Sequence, residues 1–149
     1  MSGPPCWRQR LHDWLADEAP LLLLPAAEAA RQLPTLLEAA GFTPRVVDFS
    51  EIVDKRSLMA AMRDALGLDA WFGANWDALA DALHGPETPV ERRYVLVLQV
   101  PPSGLRLADA DFIMLLEIIG DVAGSERSCL RGAVVVGAPD GAGRIEGAS

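Results

Sequence analysis

Asp77, Asp81 and His84 stand at i, i+4 and i+7 within WFGANWDALADALHG, residues 71–85. If a helix starts after Asn75, a favourable N-cap, these three side chains share one stripe, and Trp76, Leu79, Ala80 and Leu83 share a neighbouring apolar one. The apolar stripe buries and the polar stripe faces outward. Several chemistries fit the polar stripe. Two carboxylates without a neighbouring cation can accept charge-assisted hydrogen bonds from a basic partner. Two oxygens and a nitrogen could ligate a divalent metal. A charged face can also simply keep a helix solvated. The helix dipole favours Asp77 in the first turn, but Asp81 repels it from one turn further on. That repulsion points to an acid kept for a partner. The metal reading lacks any His, Glu or Cys cluster to complete the ligand set.

Charge in the surrounding sequence favours a basic partner. From Asp64 to Glu91 the chain carries Asp64, Asp69, Asp77, Asp81, Glu87 and Glu91 with no Lys or Arg, leaving the negative field without a local counterion. The formal net charge is -8. Binding nucleic acid requires clustered Lys or Arg to displace counterions from phosphates, so nucleic acid is excluded as the ligand of this surface. No Ser, His and Asp set suggests catalysis; His12 and His84 read as a surface residue and a rim contact. The expectation is a binding protein, not an enzyme, with no cofactor and no metal.

The elements that must position this helix follow from periodicity. At 149 residues, 50% hydrophobic and 23% charged, the chain is long enough for one domain with a real core and too short for two. Cys6 and Cys129 read as reduced thiols. The leucines at 21–24 are closed off by Pro20 and Pro25, no apolar run reaches membrane-spanning length, and no signal peptide precedes them, which predicts a cytoplasmic protein. A monomer is expected in the absence of the partner. Trp7, Leu11, Trp14 and Leu15 suit a short packing helix. Leu21 to Leu24 read as a buried strand and 26–40 as a helix broken or kinked by Pro34 near Leu33, with Gly41 as its stop. Arg45 to Phe49 form a strand. Asp54 caps a helix that buries Leu58, Met62, Ala65 and Leu66 until Gly67. Tyr94 to Val100 suit a strand covered on both faces, Asp111 to Val122 a helix, and Ala133 to Val136 the last strand. Alternation of short apolar strands with helices predicts an α/β fold, a mainly parallel sheet of about four strands packed by helices. Residues 139–149 have no strand or helix to support a phosphate-binding loop and read as a loose tail.

The run WFGANWDALADAL, with Gly73, Asn75, Asp77, Ala78, Leu79, Asp81 and Leu83 in place, and the element order around it resemble the barstar-related family of intracellular ribonuclease inhibitors. The resemblance covers a core of about 46–136 within a single domain, leaving 1–43 as an N-terminal extension with its own strand and helix. It implies that the partner is a basic ribonuclease or nuclease toxin. By the same resemblance Trp71 is an aromatic contact, Asn75 and Asp77 are polar contacts, and Asp81 is the carboxylate that plugs the nuclease active site. Trp76, Ala80 and His84 complete the contact face. Asp121 falls near a further acidic contact. The chain departs from the family at Ala80, which replaces a tryptophan, and at His84, which replaces a threonine. A protein-binding module of the same fold that recognises another basic partner is the alternative. The extension is expected to add to one edge of the sheet, remote from the acidic helix.

Overall fold

The structure, a computed structural model, describes residues 6–25, 28–68, 75–85, 93–125 and 128–137. Strands β1 (Leu21–Leu24), β2 (Thr43–Asp48), β3 (Tyr94–Gln99) and β4 (Leu130–Val136) form one sheet in the order β1-β4-β3-β2, with every neighbouring pair parallel. The two central strands carry the longest apolar runs because both of their faces are covered. Helices α1 (Trp7–Leu15), α2 (Ala29–Ala39), α3 (Lys55–Leu66), α4 (Trp76–His84) and α5 (Asp109–Ala123) supply the cover. Among the described residues, no helix is long and apolar enough to cross a membrane.

The two-residue period of the strands divides the core into two layers. Leu96, Leu98, Ala133 and Val135 join Leu58, Met62, Leu79, Leu83, Phe112 and Ile119 from α3, α4 and α5. Val95, Val97, Val134 and Val136 meet Leu11 and Trp14 of α1 and Ala29, Leu33 and Leu37 of α2 on the other face. The N-terminal unit adds β1 to one edge of the sheet, as the sequence implied, and its helices also cover the face opposite α4. β1 and β2 lie at opposite edges, so the crossover between them carries α2 across the sheet onto β2 and β3. Its remoteness from α4 follows, since the two helices occupy opposite faces.

Local signals account for most boundaries. Gly41, at φ 96, closes α2 with Phe42 N–H bonded to Leu37 O at 2.9 Å and Gly41 N–H to Glu38 O at 3.0 Å. Asp54 and Ser57 form a reciprocal capping box that starts α3, and Gly67 closes that helix in the left-handed conformation. Pro34 does not break α2, which runs unbroken from Ala29 to Ala39. Burial of Ala29, Leu33 and Leu37 against the sheet holds the helix through the one backbone bond that proline cannot donate. β2 starts earlier than expected and ends at Asp48, where Phe49–Glu51 turn into a 3₁₀ segment. β4 starts three residues early, at Leu130, because Arg131 and Gly132 interrupt the apolar run while serving the N-terminal unit.

At Gly132 the backbone lies at φ 154, and a Cβ there would fall 2.1 Å from Pro20 O. That approach lets Ala133 N–H bond Pro20 O at 2.9 Å. The buried Arg131 guanidinium donates to the carbonyls of Trp14, Asp17 and Ala19 at 2.7, 2.7 and 2.8 Å and lies over the Trp14 ring, 4.2 Å from its centroid. Burial pushes its pKa down from the ordinary value, and the three carbonyls satisfy the donors that burial would otherwise leave unpaired.

Candidate protein-binding site

Helix α4 is fixed at both ends and along its inner side. At its start, Asn75 Oδ1 accepts Ala78 N–H at 2.8 Å and Asn75 O accepts Leu79 N–H at 2.9 Å. Leu79 and Leu83 are fully buried, and Trp76 and Ala80 are half-buried against the same core. At its end the Tyr94 hydroxyl donates to Leu83 O, and Cys129 N–H donates to His84 O at 3.0 Å. These bonds satisfy carbonyls that a helix C-terminus leaves open. Burial, reinforced by Cys129 and opposed by Arg45, pushes the Tyr94 phenol well above its ordinary value, so it stays a neutral donor at physiological pH. Gly85 turns the chain away at φ 82, where a Cβ would lie 3.1 Å from Cys129 Cβ.

Of the polar stripe expected to face outward, the two aspartates are exposed and His84 is half-buried. Asp77 and Asp81 are exposed, and among the described residues neither forms a hydrogen bond or ion pair. Four residues of helical rise separate them by about 6 Å along the axis. His84 is half-buried one turn beyond Asp81. Among the described residues no three His, Cys, Asp or Glu side chains converge as a metal set, so Asp77, Asp81 and His84 do not form one. Asp121 is exposed near the end of α5, which packs on α4. The carboxyl ends of α4 and α5 both return to the amino ends of the strands, so Asp121 lies at the His84 end of the helix pair. Trp71, with the rest of 69–74, lies outside the described residues, as do Glu87 and Glu91.

One residue near α4 was missed. Lys55, the only lysine in the chain, stands at the first position of α3 with Nζ 5.4 Å from the Trp76 ring centroid. This corrects the expectation of a surface without a nearby cation. The basic-free stretch is continuous in sequence, but the fold places the start of α3 beside the start of α4. The available signal was a cation in the first turn of a helix, where the dipole disfavours it.

Comparison with known proteins places these features in context. A family model described as Barstar (barnase inhibitor) matches residues 42–134, which hold β2, α3, α4, β3, α5 and most of β4. No curated protein matches the chain. Among solved structures, the ORC2 protein of Aeropyrum pernix, in ADPNP-ADP complexes, is similar with TM-score 0.62 at 15% identity, over 95% of this chain and 41% of that one. This chain thus spans well under half of that protein, and at such identity the likeness shows the fold alone. A P-loop needs the pattern G-x-x-x-x-G-K-[ST] to cradle phosphates, and the chain has no such sequence.

Proposed function

The chain belongs to the barstar family of barnase inhibitors, and from that premise we propose that it binds a basic ribonuclease and blocks its active site inside the cell that makes the enzyme. The observation that carries this reading is the pair of exposed carboxylates on α4, unpartnered among the described residues, on a helix whose inner side and ends are fixed. A ribonuclease holds a scissile phosphate with cationic side chains. Asp81 takes that phosphate's place, Asp77 and Asn75 flank it, and Trp71, which precedes them in sequence, supplies an aromatic contact. Charge-assisted hydrogen bonds then hold the two proteins together. The inhibitor acts by occlusion and consumes nothing. A rigid helix favours binding because little freedom remains to be lost on association.

Ala80 favours the second reading, a module that binds a different basic protein without inhibiting a nuclease, because a half-buried methyl stands where the family has a large aromatic anchor. Titrating barnase with the protein while following RNA cleavage distinguishes them. Stoichiometric loss of cleavage is expected. Complex formation without loss of cleavage would overturn occlusion and favour a non-inhibitory module, and the absence of both would overturn the inhibitory reading.

A further inference from the structure

We propose that Lys55 is a specificity-determining contact of this surface, pairing with a carboxylate that the partner nuclease carries beside its basic cleft. The inference rests on the inhibitory reading above and adds a feature that the acidic helix alone does not require. Lys55 is the only lysine of the chain and is half-buried against Trp76, the residue that precedes Asp77. Arg56 follows it and is exposed. The first turn of α3 contains no acid to offset them. The dipole of α3 disfavours cations at this end, so helix stability gives no reason for Lys55. Among the described residues Lys55 has no ion-pair or hydrogen-bond partner, whereas Arg56 faces the charge of Asp54 and helps to hold that carboxyl low. The adjacent Asp54 carboxylate is engaged by Ser57 N–H at 2.8 Å and by the Ser57 hydroxyl at 2.8 Å.

The surface is therefore bipolar. A cationic end, formed by Lys55 and the amino ends of α3 and α4, adjoins the anionic stripe of Asp77 and Asp81. A uniformly basic partner would meet Lys55 as a like charge, whereas a carboxylate opposite it would gain a charge-assisted bond. Holding the Lys55 ammonium at the Trp76 ring, 5.4 Å from its centroid, lowers the side-chain entropy still to be lost when that bond forms. Lys55 thus excludes nucleases whose basic cleft lacks a neighbouring acid.

The test separates charge from packing. Stopped-flow association and dissociation with barnase are measured for the wild-type protein, Lys55→Met, Lys55→Glu and Asp81→Asn, with urea unfolding of each. Lys55→Met keeps an unbranched apolar side chain beside Trp76 and removes the charge. It should leave the unfolding midpoint unchanged and speed dissociation at least tenfold, and Lys55→Glu should speed it at least a hundredfold. Unchanged dissociation with faster association in Lys55→Met would overturn the proposal, because the lysine would then be a repelled bystander on a surface that attracts a basic partner. Asp81→Asn identifies which claim has failed. If it abolishes tight binding while Lys55→Met does not, only the role of Lys55 falls. If Asp81→Asn binds as wild type does, or the wild-type protein does not bind barnase, the inhibitory reading falls and this one with it.

Discussion

Replacing Asp81 by alanine should strengthen the fold and weaken the complex, and opposite signs are what a carboxylate reserved for a partner requires. In the free protein Asp81 is exposed and unpartnered among the described residues, one turn from Asp77. Alanine improves helix propensity by about 0.5 kcal/mol and removes a like-charge i,i+4 pair worth about 0.2–0.5 kcal/mol. The expected gain is about 0.7–1 kcal/mol, or a rise in Tm of about 1–4 °C for a chain of this size. In the complex the same change leaves the nuclease cations buried and unpaired, at a cost of about 2–5 kcal/mol. At 1.4 kcal/mol per decade, Kd should rise between about 30-fold and several thousand-fold. Calorimetric unfolding and isothermal titration with barnase measure both quantities on one preparation. A fall of several degrees in Tm would mean that Asp81 has a structural partner. A change in Kd below about threefold would remove it as the anchor, whatever the stability showed.

Three further outcomes follow from other parts of the molecule. Gly132→Ala should destabilise the protein by about 2–5 kcal/mol in urea unfolding, from a positive φ and an overpacked contact with Pro20 backbone, while the folded fraction retains full nuclease affinity because α4 lies on the other face. Association with a basic nuclease should slow steeply between low and physiological salt while dissociation changes little in stopped-flow mixing, and a flat association rate would point to a neutral partner surface. The Asp54 carboxyl is held below its ordinary value of 3.8, first by Ser57 backbone N–H and then by its hydroxyl. That stabilisation is complete above the unfolded value and disappears as pH falls through the folded one, so the urea midpoints of wild type and Asp54→Ala should differ at neutral pH and converge below pH 3.8.

Periodicity and capping chemistry made the elements legible, and α4 most of all, because Asn75, the apolar stripe and the acidic stripe each pointed to the same helix. The misplaced features share a different cause. Pro34 reads as a break because propensity is local, whereas the burial of Ala29, Leu33 and Leu37 against the sheet is not. Arg131 and Gly132 read as the outside of a strand because their partners, Pro20 and the carbonyls of Trp14, Asp17 and Ala19, are more than a hundred residues away in sequence.

Lys55 was missed for the same reason and bears more directly on function. Charge counted along the chain measures a segment, but a partner meets a surface, and a parallel α/β fold brings the amino ends of successive helices together at the carboxyl ends of its strands. The sequence thus identified an acidic helix, while the fold set a cation at its head. The N-terminal unit obeys the same geometry in reverse. By spanning β3 and β4 on the opposite face, it buries Val95, Val97, Val134 and Val136 and supports α4 from behind without entering the acidic surface. Affinity changes in this protein should therefore come from α4 and the start of α3, and stability changes from the contacts of Arg131 and Gly132 with the residues before β1.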